Sequence, residues 1–524
     1  MTYTKLNFIR IAAVMAMLLP VAVQTACTVG PKYHTPSATT EPPPAAYKET
    51  PVNVADSGGW KVAQPQDAML HGKWWEIYND PELNDLEEKL NINNQNIKQF
   101  FENFMVARAM VAEARSQLFP TISTAPSYEA NRTSANLRSQ ATNNGGTGGT
   151  GGTTTTSLQN QLFSLPISAT WEPDLWGKVR NQIHAAQYNA QVSAADLENE
   201  RLSEQASLAI ILFAVRGQDA LQKIYEETVE ADRKSVELTR ARYETGVDTE
   251  ISLVEAENVL KSAEAAATNL GVARAQYEHA IAVLIGTVPS NFSIAYKPVT
   301  GSPPEIPIGV PSQLLERRPD VAAAERTMAA ANAQVGVAVA AYYPTLTLTG
   351  EAGFESSSLG KLFEWPSRFW SVGPSISETI YDGGLRRATV KQYLAVYNGD
   401  VASYRQTVLI AFQQVEDYLA AVRILSKQIQ QEVEAEQSAE RYLELARARY
   451  YTGVDTYLNV LVAQTTLLSD QLTLATLRTQ AVTASVQLIE ALGGGWDRSQ
   501  LPSPADVSKP VTKSEIEAQK APNQ

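Results

Sequence analysis

Few residues of this 524-residue sequence have the types and spacing that catalysis or metal binding requires. Four histidines lie far apart and match no metal or catalytic motif. A single cysteine excludes both a disulfide framework and a cysteine-based zinc site. No nucleotide-binding loop, serine-hydrolase elbow or zinc-protease motif occurs. The sequence therefore predicts a protein that is not an enzyme and that needs no cofactor and no metal.

The one residue placed for covalent chemistry is Cys27. Residues 11–23 form an apolar run that is too short to span a bilayer but has the length of a secretory signal's core. The small residues before Cys27 resemble a bacterial lipobox, in which the thiol is lipidated and the chain is cut before the cysteine. Gln24 stands where such motifs usually have leucine, so a plain cleaved signal is the alternative. Thr28, directly after the cysteine, favours sorting to the outer membrane.

The charge and hydropathy of the chain exclude two further classes of protein. The formal charge of −13 argues against a nucleic-acid backbone as partner. The only long apolar run lies in the leader, which excludes a bundle of transmembrane helices.

The chain contains an internal duplication. Residues 237–249, ELTRARYETGVDT, return as residues 444–456, ELARARYYTGVDT, with 11 of 13 positions identical at an offset of 207. A second matching pair, centred on Pro120 and Pro344, lies before this repeat in each half and is offset by 224. Because the offset is larger there, the first half contains extra residues between Pro120 and the repeated segment. Residues 143–157 of that insertion are rich in Asn, Gly, Thr and Ser and predict a flexible loop.

Each half contains one very long helical hairpin. Residues 174–288 and 375–501 lack proline and are rich in helix-favouring residues. Each stretch is interrupted once, at Gly246 or Gly453, where glycine fits the left-handed position just past a helix end. The first arm, residues 178–245, would be roughly 100 Å long at about 1.5 Å per residue. Heptad-spaced apolar residues on the second return arm predict a wide packing seam, with a poreless coiled coil as the alternative.

Short segments between the helical parts have strand character. Residues 345–354 begin with strict Thr/Leu alternation, and residues 370–380 end at an Asp-Gly-Gly turn. The duplication adds residues 121–130 and 162–171, which gives four strands per chain. Four strands cannot close a barrel alone, and open edges are not tolerated in lipid, so three chains would be needed for a closed wall of twelve. An ordinary small sheet is the alternative.

Five short motifs follow one another along the chain. They are CTVGPKYHTP from Cys27, WW at 74–75 with DPEL at 80–83, WEPDLWGK at 171–178, RRPDVAAAE at 317–325, and ALGGGW at 491–496. Each has a structural explanation alone, such as a proline at a first helical position or glycines that end a helix. Together they resemble the outer-membrane factor family of TolC-like channel tunnels, specifically its OprM/NodT-type outer-membrane efflux lipoproteins.

The resemblance implies an α+β membrane protein that works as a homotrimeric channel tunnel. Its 12-stranded β-barrel, with four strands per chain, would lie in outer-membrane lipid, its long helices would form a periplasmic barrel, and a mixed equatorial belt would surround them. The implied function is the exit duct of a tripartite efflux pump, which passively conducts small molecules from an inner-membrane RND-type transporter and a periplasmic adaptor. Type I protein secretion through the same fold is the alternative. The lipid-anchored chain would extend from the outer membrane into the periplasm.

On this basis we predict six segments. They are a signal peptide (1–26), an acylated linker and belt segment (27–82), a first repeat (83–290), a belt connection (291–318), a second repeat (319–498) and a polar tail (499–524).

The resemblance places the two hairpin turns at the periplasmic end of the tunnel, which stays closed until an adaptor docks. It assigns the adaptor-facing tip to Gly246, Val247, Gly453 and Val454. The residues that would tie neighbouring hairpins together, a tip latch, are Arg240, Tyr243, Asp248, Arg447, Tyr450 and Asp455. Capping of helix ends by the same arginines and tyrosines is the alternative.

Relatives carry a Leu and then an Asp on the pore face beyond the second turn. Matching through the turn puts the Leu at Leu458 and the Asp position at Val462, which is a departure. We therefore predict a hydrophobic gate at Leu458 and Val462, with Asn459 and Glu255 as the nearest polar groups, and weaker cation selectivity than an acidic ring gives. Packing of both apolar residues between helices is the alternative.

Overall fold

The structure is a computed structural model that describes residues 28–39, 47–49, 72–132, 159–299, 303–304, 306 and 314–510. The predicted signal peptide, Cys27 and the loop predicted at 143–157 lie outside these ranges. The chain divides into two compact units, the first from residues 1–33, 109–187 and 330–397 and the second from residues 34–108, 188–329 and 398–524. Each unit thus takes segments from both halves of the duplicated sequence. Among the described residues, no helix is both long and apolar enough to cross a bilayer.

The described residues contain seven α-helices of at least 13 residues. They are α1 (Pro81–Asn93), α2 (Gln95–Ser116), α3 (Lys178–Glu244), α4 (Glu250–Leu284), α5 (Pro319–Ala340), α6 (Leu385–Tyr451) and α7 (Tyr457–Ala491). The duplication persists in their lengths, because α3 and α6 both have 67 residues and α4 and α7 both have 35. The predicted hairpins are confirmed, and the first arm ends one residue earlier than predicted.

Five strands form one antiparallel sheet in the first unit. They are β1 (Thr121–Thr124), β2 (Ser127–Arg132), β3 (Gln159–Trp171), β4 (Thr345–Ser356) and β5 (Arg368–Ser377), paired in the order β1-β3-β4-β5 with β2 also on β3. The first predicted strand is therefore split. The split lies at Pro126, and β3 carries Pro166 at the same level, so two ladder donors are missing there. The register is unbroken, since Thr124 faces Ile167 and Ser127 faces Ser164.

The sheet has one apolar and one polar face. The pairing register places on one face Ile122, Tyr128, Phe163, Leu165, Ile167, Leu346, Leu348, Phe354, Trp370, Val372 and Ile376. The other face carries mainly Ser, Thr and Glu, for example Ser168, Thr349 and Ser371. Much of the apolar face is exposed, with Trp370 and Val372 each 78% accessible. Such an alternation is typical of strands with one face in lipid and one in water.

The WEPDLWGK motif makes the junction between β3 and α3. The Asp174 carboxylate accepts hydrogen bonds from the backbone N–H groups of Val179 (3.1 Å) and Arg180 (3.0 Å), which lie in the first turn of α3. Trp171 and Trp176 donate their indole N–H groups to backbone carbonyls of Leu118 (3.0 Å) and Pro344 (2.7 Å). Both tryptophans thus fasten neighbouring segments of the first unit.

Two of the five motifs meet in the second unit. Arg318 of the RRPD motif is buried and donates to the backbone carbonyl of Ala491 (3.0 Å) in the ALGGGW motif. Gly493 lies so close to the Arg317 carbonyl oxygen that a Cβ on it would stand 2.0 Å away. The two motifs therefore meet in one packing contact between the start of α5 and the end of α7, and this contact accounts for Arg318 and Gly493.

A buried charge cluster fixes the start of α1 in the second unit. Asp80 caps the helix by accepting from the N–H groups of Glu82 and Leu83, and its carboxylate also contacts Arg216 and, at 3.3 Å, Lys297. Arg216 pairs with Glu82 as well, at 2.9 Å. Burial alone would raise the pKa of Asp80, but the bonds and charge of Arg216 outweigh it and hold the pKa at about 2.

We expect this cluster to make the stability of the protein fall in acid. Because the folded-state pKa of Asp80 lies below its ordinary 3.8, its contribution is present above about pH 4 and is lost as the pH falls towards 2. Asp80→Asn should therefore destabilise the protein at pH 7, and thermal melts should show this difference shrinking between pH 4 and 2. The control is Asp85→Asn, an exposed partner of Lys89. A difference that does not change with pH would contradict the assignment.

Candidate functional site

The two hairpin turns have the same backbone geometry. Gly246 and Gly453 adopt the left-handed conformation, with φ of 71° and 73°. In each turn the glycine N–H bonds to the carbonyl three residues back, and the following valine N–H bonds to the carbonyl five residues back (Val247 to Arg242, 2.8 Å; Val454 to Arg449, 3.0 Å). This double closure is the Schellman motif that ends helices at glycine. The turns are therefore rigidly specified by the repeated TGVD sequence.

The same closure brings an arginine against the aspartate of each turn. Arg242 Nε lies 3.5 Å from Asp248 Oδ2, and Arg449 Nε lies 3.1 Å from Asp455 Oδ2. Arg240 and Arg447, which were predicted to help tie neighbouring hairpins together, take no part in these two contacts within the turns. Their role in a latch between neighbouring hairpins stays a prediction. The sequence signal for these contacts is the spacing of six positions from Arg242 to Asp248 and from Arg449 to Asp455, because the Schellman turn folds the chain back over the arginine.

Tyr450 joins the two hairpins within the chain. Its hydroxyl donates to Asp248 Oδ2 at 2.5 Å, and the Arg242 guanidinium lies over its ring at 4.5 Å from the centroid. Tyr450 is only 3% exposed. Burial, and then the bond to Asp248, raise the pKa of Tyr450 to about 12. Burial opposes ionisation of Asp248 too, but the bonds from Tyr450 and the Thr249 N–H, with Arg242's charge, leave its pKa below the ordinary value.

The counterparts of this pair are arranged differently. Within the described part of the chain, Tyr243, which matches Tyr450, is 41% exposed and its hydroxyl makes no hydrogen bond. Asp455, which matches Asp248, instead accepts from Asn459 Nδ2 at 2.5 Å and contacts Arg449. Each chain therefore satisfies one tyrosine–aspartate pair internally and leaves the second tyrosine available at its surface.

Arg240 and Arg447 lie about one helical turn further from the tip than Tyr243 and Tyr450 do. Arg240 pairs with Glu257 of α4 at 2.7 Å, inside the first hairpin. The position matching Glu257 is Gln464, which donates instead to the buried carboxylate of Asp232 on α3. Burial raises the pKa of Asp232, and the Gln464 bond and the charge of Arg447 offset part of that rise. These polar contacts hold the hairpins in register but involve neither turn aspartate.

An apolar cluster holds the hairpins together behind the turns. It takes residues from all four arms: Val236, Ala256, Leu260, Leu443, Ala446, Tyr450, Tyr457, Val460 and Ala463. Further along α7 the heptad-spaced apolar residues of the predicted packing seam are buried, as at Leu474, Val482 and Ile489. Burial of these apolar side chains supplies most of the stability of the hairpin pair. The polar contacts at the turns mainly specify the register of the hairpins.

The predicted gate residues lie at the surface of the chain. Leu458 and Val462 are 54% and 48% exposed and stand four residues apart on one face of α7. Neither packs between helices of its own chain. The Asn459 side chain donates a hydrogen bond to Asp455, and Glu255 is half-buried on α4. The structure thus brings Asn459 to the turn and leaves two apolar side chains together on an open face.

The four tip residues have open surroundings. No heavy atom lies within 4 Å of a Cβ built on Gly246 or Gly453, and Val247 and Val454 are 64% and 67% exposed. Among the described residues, no group of three His, Cys, Asp or Glu side chains is arranged to hold a metal ion. The arrangement offers a reversible hydrogen-bonded tie and a small apolar surface, not a reaction centre.

Comparison with known proteins gives consistent results along the chain. The family model described as outer membrane efflux protein matches residues 86–287 and 310–494, one stretch in each half. The chain is 31% identical over 472 residues to two proteins of Pseudomonas putida, toluene efflux pump outer membrane protein TtgC and antibiotic efflux pump outer membrane protein ArpC. Each match covers 90% of this chain and 93% of the relative. The solved outer-membrane channel OprN is 28% identical, with a TM-score of 0.78 over 90% of this chain and 100% of that one.

Proposed function

This chain belongs to the outer membrane efflux protein family, and on that premise we propose that it is the passive exit duct of a tripartite efflux pump. The family membership and the TolC-like channel fold, long helices with a four-strand-wide sheet, were both predicted from the sequence and are confirmed. The chain is accordingly an outer-membrane efflux component and not an enzyme. Its homotrimeric assembly, its partners and its lipid anchor are proposals.

The sheet is the observation that carries the proposal of a duct. Its path β1-β3-β4-β5 leaves edges on β1 with β2 and on β5, and much of its apolar face is exposed. Unpaired strand edges are not stable in lipid. Three copies joined edge to edge give a closed wall of twelve strands, with the Ser- and Thr-rich face towards water and the apolar face towards lipid.

The turns support a closed resting state at the periplasmic end. Within a chain, Tyr450 bonds Asp248 across the two hairpins. In a ring of three chains the hairpins alternate, so Tyr243 would face Asp455 of the next copy in the same way. The six predicted latch residues then fall into two kinds, four in the tyrosine–aspartate ties and two arginines that keep hairpin register. The exposed Val247 and Val454, with their glycines, form the surface on which a periplasmic adaptor would dock.

We expect the gate itself to be apolar and weakly selective. Leu458 and Val462 of three chains would narrow the entrance without an acidic ring, and such constrictions block ions by dewetting. Val462→Asp should therefore raise cation selectivity, seen as a shift in reversal potential across a salt gradient. Leu458→Ala and Val462→Ala should raise resting leak severalfold in single-channel recordings. Leu445→Ala, similarly exposed but on α6, is the control. Unchanged leak and selectivity would remove both residues from the gate.

The exported compounds are proposed from the relatives. Two of them are described as toluene and antibiotic efflux pump proteins. We propose that this duct serves small amphiphilic or apolar compounds delivered by an inner-membrane RND-type transporter through the adaptor. Deletion of the gene should lower tolerance to solvents or antibiotics while protein secretion continues. The reverse result, lost secretion with unchanged tolerance, would favour type I protein export instead.

We propose that Cys27 carries the lipid anchor. Its support is the leader and the small residues before the cysteine. Intact-mass measurement of membrane-purified protein should show a chain that begins at residue 27 with added acyl mass, and Cys27→Ser should lose that mass. An unmodified cysteine in the mature chain would contradict the anchor.

A further inference from the structure

The β4–β5 loop, residues 357–367, presents apolar side chains where a loop is ordinarily polar. Leu359, Phe363 and Trp365 are 63%, 69% and 76% exposed, whereas Leu362 is buried and anchors the loop. Large exposed apolar groups on a folded segment mark a surface that contacts lipid or another molecule.

The loop is a folded element that holds these side chains in place. It contains two short 3₁₀ turns, Leu359–Lys361 and Trp365–Ser367. The Lys361 carbonyl accepts from the Glu364 N–H (3.1 Å) and from the Ser367 hydroxyl (2.7 Å). The Trp365 carbonyl accepts from Arg368 Nε at 3.0 Å. The outward aromatic groups are therefore fixed by internal hydrogen bonds.

The loop continues the apolar face of the sheet. The Phe363 ring packs against Phe354, with centroids 5.6 Å apart, and Phe354 belongs to the apolar face defined above. Two cations accompany the aromatic groups. Lys361 is exposed, and the exposed Arg368 guanidinium lies over the Trp365 ring. Aromatic rings beside basic groups fit the zone where acyl chains give way to phosphate-bearing headgroups.

We propose that the β4–β5 loop lies in the outer leaflet, with Phe363 and Trp365 at the acyl–headgroup boundary and Lys361 and Arg368 on headgroup phosphates. The inference rests on the proposed function. At the strand ends opposite this loop, β3 leads into α3 and β5 leads into α6. Because the proposed function puts those helices in the periplasm, it puts the β4–β5 loop on the outer side of the membrane. The loop would thus hold the barrel at a fixed depth and stay away from the pore mouth. The occupant is a phosphate-bearing lipid surface of the lipid A class.

Site-specific quenching tests where the loop lies. The full-length Phe363→Cys protein is labelled with a polarity-sensitive fluorophore and reconstituted into vesicles whose conductance shows that the channel has inserted. Brominated phospholipid should quench this label at least twofold more than aqueous iodide does. A label at Ser371→Cys, on the polar face of β5, should show the reverse. Iodide quenching at position 363, or protection from both quenchers by a neighbouring copy, would overturn the proposal. Absence of conductance would instead count against the proposed function.

A second measurement tests the phosphate contact. Diphosphoryl lipid A should raise the melting temperature of the parent protein more than its dephosphorylated form does. The Lys361→Gln/Arg368→Gln double variant should lose most of that difference. Lys427→Gln, an exposed lysine on α6, should keep it. An equal response of the double variant and the control would show that these cations do not contact phosphate and would overturn that part of the proposal.

Discussion

Channels of the Tyr450→Phe variant are expected to leak at rest. The substitution removes only the hydroxyl that donates to Asp248, and it keeps the ring that packs against Tyr457 and under Arg242. A hydrogen bond to a charged group contributes about 1.5–3 kcal/mol, so losing it shifts the closed–open balance of the tip by about tenfold or more. Single-channel recordings in planar bilayers should show a resting open probability raised by that factor, without a change in the open conductance.

Tyr451→Phe is the matched control for this variant. Tyr451 is the next residue, carries the same hydroxyl and is 57% exposed, and within the described residues its hydroxyl makes no hydrogen bond. Asp248→Asn should leak as Tyr450→Phe does, because it weakens the same bond from the other side. A closed Tyr450→Phe channel, or equal leak in Tyr451→Phe, would show that the tyrosine–aspartate tie does not hold the tip.

Gly493→Ala is expected to prevent stable folding of the second unit. Gly493 has φ of 97°, and a Cβ there would lie 2.0 Å from the Arg317 carbonyl oxygen, which is backbone and cannot rotate away. Backbone strain and overpacking together should cost more than about 3 kcal/mol. Yield of folded protein should drop steeply, and whatever folds should unfold at lower temperature than the parent.

Gly271→Ala is the control for Gly493→Ala. Gly271 lies inside α4, and a Cβ built there meets no atom within 4 Å. Alanine at such a helical site should be neutral or stabilise by about 0.5–1 kcal/mol. Parent-like stability of Gly493→Ala would mean that the contact between the two motifs is not as close as described.

The features that the sequence predicted well are those with strong local causes. Both helical hairpins could be predicted because each long proline-free stretch has a single TGVD interruption. A glycine in the left-handed conformation ends a helix by local geometry alone. The strands were predicted from the alternation of polar and apolar residues in the second half and from the duplication, which placed their counterparts in the first half. Pro126 split the first of them, since a missing donor interrupts hydrogen bonding without moving the register.

The contacts that the sequence missed depend on how the turn folds in three dimensions. Arg240 and Arg242 have the same charge and lie on the same arm, so composition cannot choose between them. Only the Schellman closure places Arg242 beside Asp248 and leaves Arg240 to Glu257. Repeat symmetry likewise predicts that Tyr243 and Tyr450 are equivalent. The structure makes one buried and the other exposed, because a single chain has only one junction between its two hairpins.

The number of copies in the purified, reconstituted channel tests this account most directly. Light scattering and chemical cross-linking in detergent, followed by conductance recordings of the same sample, should find three chains per particle and conducting channels. Single chains that never conduct, in detergent or in bilayers, would contradict a duct whose wall each chain supplies only in part.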